Sequence, residues 1–291
     1  MLAYTLVGGL LFGLYFGLVA LGLNLVFGVM RLVNLAHGDF LMLGAFAAYW
    51  AYQLFGLTPV SALAAEVVIF SALGLALYYA VVPRLLASSD PEMLSFILFF
   101  GLSQALQALA VIAFGNNPRS IPATVFGRAP VRILGQAFPA AWMVSGVVSV
   151  ALVLFVYLYL YHSRLGRATR AVMSSREEAM VSGIDVHRVS AAALGVGLML
   201  AAMAGAFSPF MLGSIEPGMG TAVTTVSFTV TVIGTLGEPL GTVLGGLVYG
   251  MSLMLMESYL SSWANLLPYL LLIAIMLVRP AGLLARRARY A

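Results

Sequence analysis

The chain has 291 residues, of which 62% are hydrophobic and 8% are charged, and its mean hydropathy is +1.05. Soluble globular domains carry about 25% charged residues, so the composition excludes a soluble domain whose surface faces water. The absence of cysteine excludes disulfides, thiolate metal sites and a cysteine nucleophile. The net charge of +4 comes from arginines in loops between apolar runs, which is typical of a membrane protein and not of a nucleic-acid-binding protein.

Apolar segments long enough to cross a bilayer recur along the whole sequence. Only helices or closed barrels satisfy backbone groups in lipid, and no segment shows the alternation of barrel strands. The sequence therefore predicts an all-α, polytopic membrane bundle of eight or nine transmembrane helices in a single domain over 1–291. The predicted segments are 3–28, 39–55, 59–81, 93–113, 139–161, 189–212, 221–236, 240–258 and 264–278.

The first segment has no basic region before it and is longer than the apolar part of a signal peptide, so we expect it to remain as a span. Its glycines recur every fourth residue, and a second stripe of the same spacing lies near the other end of the chain. Such stripes favour close packing of helices in membranes over a pore-lining role. The glycines are Gly9, Gly13, Gly17, Gly237, Gly241 and Gly245.

Polar side chains within the apolar segments are costly in a membrane and therefore indicate functional or packing contacts. The densest group lies between the first two segments, where Asn34 and His37 either satisfy freed backbone groups at a hinge or contact a solute. Glu66 stands alone within its segment and is expected to pair with another helix or a neighbouring subunit. Gln104 and Gln107 share one helix face at i, i+3 and either join helices or line a path.

The segment 221–236 is rich in threonine and ends at the sequence Thr-Leu-Gly-Glu-Pro, which predicts a broken or re-entrant helix. Glu238, beside Pro239, is the acid that we expect nearest to a moving element. Glu257 is close to a helix end and is expected to reach the interface. No group of residues forms a catalytic constellation or a metal site, so the sequence does not predict an enzyme.

Arginine counts predict the orientation of the chain. The stretch 162–188 holds five arginines and the C-terminal tail holds four, whereas 114–138 holds three. The positive-inside rule places 162–188 and the C-terminus in the cytoplasm and 114–138 outside. An odd number of spans places the N-terminus outside. The arginines are Arg164, Arg167, Arg170, Arg176 and Arg188 in the loop, Arg279, Arg286, Arg287 and Arg289 in the tail, and Arg119, Arg128 and Arg132 outside.

The cytoplasmic loop at about 162–190 contains signals for a short helix. Ser175 and Glu178 have the spacing of a capping box, Gly183 is a suitable C′ residue, and Asp185 suits the N-cap of the next span. Two interpretations stay open: a solvated loop with incidental caps, or a coupling helix that docks on a partner ATPase. The chain has no Gly-x-x-x-x-Gly-Lys motif and no lysine, so an ATP-driven motor would be a separate chain.

The stretch 34–45 reads Asn-Leu-Ala-His-Gly-Asp-Phe-Leu-Met-Leu-Gly-Ala. Together with five further stretches of the chain, it resembles the LivH-type permease subunit of branched-chain amino acid ABC importers. Two positions depart from that family: Val226 stands where the family often has lysine, and Thr235 alters a Gly-Gly-Leu-Gly motif. The further matching stretches are 17–31, 165–171, 178–188, 234–246 and 279–283.

The resemblance implies a multi-pass protein of the bacterial inner membrane, in contact with lipid. A second, LivM-like permease would complete the pore, two ATPase subunits would bind ATP and Mg²⁺, and a periplasmic solute-binding protein would deliver the solute. The chain itself is expected to hold no cofactor and to bind no nucleic acid. Branched-chain or other neutral amino acids are the expected solutes; urea, short amides and other small organic solutes are the alternative, and a self-sufficient secondary transporter or channel is the alternative from a different class.

Two sets of candidate residues follow. For coupling to the ATPases we name Arg170, Ser175, Glu177, Glu178, Ala179, Gly183 and Ile184. For the translocation pathway or its gate we name Asn24, Asn34, His37, Asp39, Gln104 and Glu238.

Overall fold

The structure is a computed structural model that describes residues 2–284. Arg286, Arg287 and Arg289, on which part of the predicted orientation rests, lie outside the described residues. The helices of the described range are α1 (Leu2–Met30), α2 (His37–Phe55), α3 (Pro59–Leu86), α4 (Pro91–Phe114), α5 (Ala140–His162), α6 (Arg164–Ser174), α7 (Arg176–Val181), α8 (Val186–Gly205), α9 (Ser208–Met211), α10 (Met219–Gly234), α11 (Pro239–Tyr259) and α12 (Leu267–Val278).

Short elements complete the description. Two 3₁₀ helices cover Ala123–Phe126 and Ser261–Leu266, and strands β1 (Val131–Ile133) and β2 (Gln136–Phe138) form an antiparallel hairpin. The sequence analysis missed this hairpin, whose two-residue loop, Leu134-Gly135, has positive φ at both positions. Positive φ at both loop residues is the geometry of a type I′ hairpin.

The prediction of a polytopic helical membrane protein is confirmed. Within residues 2–284, seven helical stretches are long and apolar enough to cross a membrane: α1, α3, α4, α5, α8, α11, and the 3₁₀ helix 261–266 together with α12. The predicted eight or nine spans also counted α2 and α10. Of these, α10 is apolar but has 16 residues, a length of about 24 Å.

One predicted segment, 189–212, is interrupted in the structure. Helix α8 ends at Gly205, and α9 starts at Ser208 with Pro209 in its first turn. Proline has no backbone N–H to donate to the carbonyl four residues earlier, so the break is expected where Pro209 enters.

The centre of the bundle is formed by α1 and α8, whose side chains are mostly buried, with α2, α10 and α11 packed around them. The exposed side chains of α3, α5 and α12 are overwhelmingly apolar, as expected of helices that face lipid. Apolar contacts run through all of these helices as one continuous core.

The two ends of the bundle are defined by contacts with α1. At its start, the Tyr4 ring stacks on Phe138 of the hairpin with ring centroids 5.2 Å apart. At its far end, Gly28 lies against Met173 of α6 and against Gly237 of the α10–α11 turn. The segment after α12 joins this second end, because the Leu283 N–H donates to the Ile233 carbonyl at 2.9 Å. We call these the hairpin end and the α6 end.

Helices α2 and α10 both start inside the bundle. After α1 ends at Met30 the chain turns back, and His37 Nε2 lies 2.8 Å from the carbonyl oxygen of Val19. Val19 is eleven residues before the end of α1, which at 1.5 Å per residue is about 16 Å from that end. The first turn of α10 lies beside the start of α2, where Gly38 N–H donates to Thr224 Oγ1 at 2.9 Å.

Candidate functional sites

Asn34 and His37 support the start of α2 inside the bundle. Both side chains are fully buried. Asn34 Oδ1 accepts a hydrogen bond from the Ala36 N–H at 3.1 Å, and the His37 ring nitrogen lies within hydrogen-bond distance of the Val19 carbonyl. The Asn34 contact fits the hinge interpretation, because the Ala36 N–H precedes α2 and has no helical partner. The His37 contact is with a carbonyl inside α1, and the buried Asn34 Nδ2 and His37 Nδ1 have no hydrogen-bond partner among residues 2–284.

Asp39 joins three helices at the same depth. Its Oδ1 accepts a hydrogen bond from Gln107 Nε2 of α4 at 3.0 Å, and the carboxylate lies against Gly220 of α10. Gln107 Nε2 also lies 3.1 Å from Ser103 Oγ and 3.0 Å from Thr221 Oγ1. The carboxylate therefore sits in the first turns of α2 and α10, where the helix dipoles stabilise an anion.

Asn24 fixes the turn between α10 and α11. Its Oδ1 accepts a hydrogen bond from Gly237 N–H at 2.5 Å, and its Nδ2 donates to the carbonyls of Thr235 and Glu238, each at 3.1 Å. Nδ2 also contacts Thr242 Oγ1. One buried amide thus holds four groups of the turn against α1, which is a positioning role, and the amide is fully removed from solvent.

Thr235 occupies a strained backbone conformation in this turn, with φ at +98°. Only glycine adopts that region without strain, which accounts physically for the glycine of the resembling family at this position. In this chain the threonine hydroxyl accepts a hydrogen bond from Leu284 N–H at 3.1 Å. The substitution therefore introduces strain and at the same time attaches the segment after α12 to the turn.

Substitutions at Thr235 separate these two effects. We expect Thr235→Ala to lower the free energy of unfolding by about 1 kcal/mol, because the strain stays and one hydrogen bond is lost. Thr235→Gly is expected to raise it by about 1 kcal/mol, because relief of strain of about 1–3 kcal/mol exceeds the lost bond. Thermal unfolding of both variants in detergent measures whether each is more or less stable than the natural chain. Equal changes in stability in the same direction would contradict the assignment of strain to residue 235.

Glu238 lies in the same turn, is exposed, and precedes α11 without a side-chain cap hydrogen bond. Its turn contacts the end of α1, because a β-carbon built on Gly28 would lie 3.2 Å from Gly237 Cα. The same Gly28 lies against Met173 of α6. Gly28 therefore lies between α6 and the Glu238 turn.

The predicted short helix at the α6 end is confirmed as α7, and both of its ends are capped. Ser175 Oγ accepts a hydrogen bond from Glu178 N–H at 3.3 Å. Gly183 has φ at +79°, and the Gly183 and Ile184 N–H groups donate to the carbonyls of Met180 and Ala179, each at 3.0 Å. This pair of bonds is a Schellman motif, which satisfies the last carbonyls of a helix.

Asp185 and Arg170 make two further contacts at the α6 end. Asp185 Oδ1 accepts a hydrogen bond from Arg188 N–H at 3.1 Å, as predicted for the N-cap of α8. Arg170 Nε donates to the Leu160 carbonyl of α5 at 3.1 Å, and its guanidinium carbon lies 4.5 Å from the centre of the Tyr161 ring. Arg170 therefore fixes α6 to the end of α5.

The outer face of α7 is exposed among residues 2–284. Ala179 is buried, whereas Glu177 and Glu178 are exposed. Met180 and Val181 are also exposed, Val181 to 90%. A six-residue helix is unstable alone in water, so the two caps and the single buried alanine hold it in place while its apolar residues point outward.

Five of the six glycines in the two stripes lie at helix contacts, whereas Gly237, predicted to belong to the second stripe, lies before α11 in the turn with φ at +81°. Gly9, Gly13 and Gly17 of α1 face α11, whereas Gly241 and Gly245 of α11 face the end of α10. The surface of α11 that meets α1 is formed by Gly246 and Gly250, which the sequence analysis did not single out. Gly246 and Gly250 are four residues apart, and this spacing would have shown a second glycine face on α11.

Three further polar residues occupy different surroundings. Glu66 is buried in α3, and neither carboxyl oxygen has a hydrogen-bond partner among residues 2–284. Gln104 is exposed on α4, on the same side of the helix as Gln107. Glu257 of α11 is exposed and lines a cavity between α1, α10 and α11.

Comparison with known proteins identifies the family. A family model described as branched-chain amino acid transport system / permease component matches residues 5–276. The high-affinity branched-chain amino acid transport system permease protein BraD of Pseudomonas aeruginosa is 28% identical over 97% of this chain and 95% of its own length. The corresponding LivH of Escherichia coli K12 is 29% identical over 96% and 94% of the two chains.

A more distant relative also matches over nearly the full length of both chains. The probable branched-chain amino acid transport permease protein LivH of Methanocaldococcus jannaschii is 27% identical over 95% of this chain and 90% of its own length. No solved structure gives a significant match. Because the family model covers nearly the whole chain, this protein belongs to the family of permease components of branched-chain amino acid transport systems.

Proposed function

We propose that this permease imports a branched-chain or other neutral amino acid, within a transporter that contains two ATPase subunits, a second LivM-like permease and a periplasmic binding protein. The named substrate of its relatives supports the solute class. Mg²⁺ and ATP would be held by the ATPase subunits. The chain would lie in the bacterial inner membrane with its C-terminus and the α6 end in the cytoplasm.

The observation that carries the proposal is the geometry of α7. Its two caps hold it rigidly at the end of the bundle, and it presents Met180 and Val181 to the outside. Exposed apolar side chains beside exposed carboxylates at the end of a membrane bundle suit a protein partner rather than lipid. A partner ATPase that moves α7 would move α6, which borders the end of α1 and the Glu238 turn.

The proposed transport cycle uses this connection. A loaded binding protein docks at the hairpin end, and ATP binding brings the two ATPases together at the α6 end. The resulting force on α7 shifts α6 against Gly28, and the Asn24-bound turn follows because it contacts the same glycine. ATP biases the equilibrium only through its different affinities for the outward-open and inward-open states.

Removal of the apolar side chains of α7 tests the coupling assignment. We expect the double substitution Met180→Ser and Val181→Ser to reduce the ATPase that co-purifies with the tagged permease at least about tenfold, the ratio for about 1.4 kcal/mol of contact. Both residues are exposed, so insertion and the thermal stability of the isolated chain are expected to stay unchanged. Uptake should fall in parallel with the bound ATPase.

The matched control is Leu134→Ser, which removes an apolar side chain exposed to 75% at the hairpin end. It is expected to leave ATPase co-purification unchanged. Normal co-purification and uptake by the α7 variant would refute its coupling role. Purification of the wild-type chain only with itself, with transport intact, would instead support the secondary transporter or channel.

A further inference from the structure

The helix surfaces that lie outside the core are not uniformly apolar. Val68 of α3, Val147 of α5 and Leu277 of α12 are typical of the exposed side chains, with 68%, 69% and 80% exposure. Gln104, however, is exposed near the middle of α4, a helix long and apolar enough to cross a membrane. Thr221 of α10, which contacts Gln107 of α4, is exposed as well. Amide and hydroxyl groups are costly to leave in hydrocarbon, so this surface is covered by something other than lipid.

The polar surface continues along α10. Gln107 Nε2 lies 3.0 Å from Thr221 Oγ1, and Thr225 Oγ1 donates to the Thr221 carbonyl at 3.0 Å. Gln104 lies one helical turn from Gln107 on the same side of α4. We call Gln104, Gln107, Thr221 and Thr225 the polar strip.

A cavity of about 590 Å³ adjoins the strip, and Thr225 lies in its wall. The cavity is bounded by α1, α10, α11 and residues from the segments 211–216 and 264–269, and its volume lies in the range of small-molecule sites. Its polar lining includes Ser214, Glu216, Glu257, Asn265 and Tyr269, while Phe12 and Phe16 form part of its apolar wall.

The charges in the cavity wall have one sign. Glu216 and Glu257 are carboxylates, and no arginine or histidine lies among its lining residues in the described range. Val226, where the resembling family often has lysine, also faces the cavity. The wall therefore attracts ammonium groups and repels anions.

We propose that the polar strip and the cavity together line the solute path, with the strip at the boundary to the second permease subunit, and that the path selects neutral or ammonium-bearing solutes over anions. This inference rests on the proposed importer function. It explains why the exposed polar groups of α4 and α10 are continuous with a polar cavity while the exposed faces of α3, α5 and α12 are apolar. It also assigns Gln104 and Thr225 contact with the solute, whereas Asn24, Asn34 and His37 hold helix ends.

Single-cysteine labelling tests the path directly, because the natural chain has no cysteine to remove. Gln104→Cys and Thr225→Cys are compared with Phe100→Cys and Val147→Cys, which replace exposed apolar residues of α4 and α5. Each variant is assembled with its partner subunits in vesicles and treated with membrane-impermeant thiol reagents, one cationic and one anionic. Co-purified ATPase is measured for each variant as a separate readout.

We expect both path cysteines to react with the cationic reagent about tenfold faster than with the anionic one, and both controls to stay unreactive. Glu216→Gln combined with Glu257→Gln should bring the two rates together. Path cysteines as unreactive as the controls, in complexes that retain their ATPase, would overturn the path. Equal rates for the two reagents would overturn the charge selection, and loss of the ATPase from the unmodified complex would instead contradict the importer function.

Discussion

Asn24→Leu is expected to lower the free energy of unfolding of the permease by more than about 3 kcal/mol and to abolish uptake. The substitution places an apolar side chain of similar size at this position of α1 and removes every hydrogen bond of the amide. Four groups of the α10–α11 turn then lose a partner: the Gly237 N–H, the carbonyls of Thr235 and Glu238, and the Thr242 hydroxyl. The two carbonyls and the hydroxyl keep other hydrogen bonds, whereas the Gly237 N–H has no other partner among residues 2–284. An unpaired N–H costs about 1–3 kcal/mol and each of the other three lost bonds about 0.5–1.5 kcal/mol, which sums to more than about 3 kcal/mol.

The control for Asn24 is Gln53→Leu, which also replaces an amide on a membrane helix. Gln53 is exposed and donates one hydrogen bond, to the Tyr49 hydroxyl at 2.9 Å. A change below about 1 kcal/mol is expected there. Thermal unfolding in detergent and uptake in vesicles measure both variants, and similar small shifts for the two would show that Asn24 does not hold the turn.

Gly246→Ala is expected to destabilise the bundle by about 3 kcal/mol. A β-carbon at this position would lie 2.5 Å from the Cα of Gly17 and 2.6 Å from the carbonyl oxygen of Gly13. Both contacts are with backbone, which a side-chain rotation does not relieve, so α1 and α11 must separate. Overpacking of a well-packed contact costs about 1–3 kcal/mol, and a clash with two backbone atoms lies at the upper end of that range.

Gly101→Ala is the same chemical change, but it is expected to have the opposite effect on the free energy of unfolding. Gly101 lies on the exposed side of α4, and a β-carbon there would meet no atom within 4 Å. Alanine in a helix interior is favoured over glycine by about 0.5–1 kcal/mol, so this variant is expected to be slightly more stable. Unfolding of the isolated chain in detergent measures both, and equal effects would mean that the α1–α11 contact does not depend on a missing side chain.

The helices and their caps follow from the sequence because their causes are local. Apolar runs of about twenty residues predict the spans without any knowledge of their neighbours. Ser175, Gly183 and Asp185 each act on backbone groups within four residues of themselves, so their roles are visible in the spacing alone. The family resemblance, carried by motifs in order along the chain, is confirmed by a family match over residues 5–276.

The depth at which α2 and α10 begin, and the role of each polar residue, were decided only by the tertiary structure. Gly38 meets Thr224 across 186 positions and Asn24 meets Gly237 across 213, and no periodicity in the sequence reports such pairs. In the sequence, nothing separates an amide that is buried against a turn, such as Asn24, from an exposed amide such as Gln104. Packing brings backbone groups of the α10–α11 turn to within 3.1 Å of the Asn24 amide and leaves Gln104 exposed, and only the folded chain determines that difference.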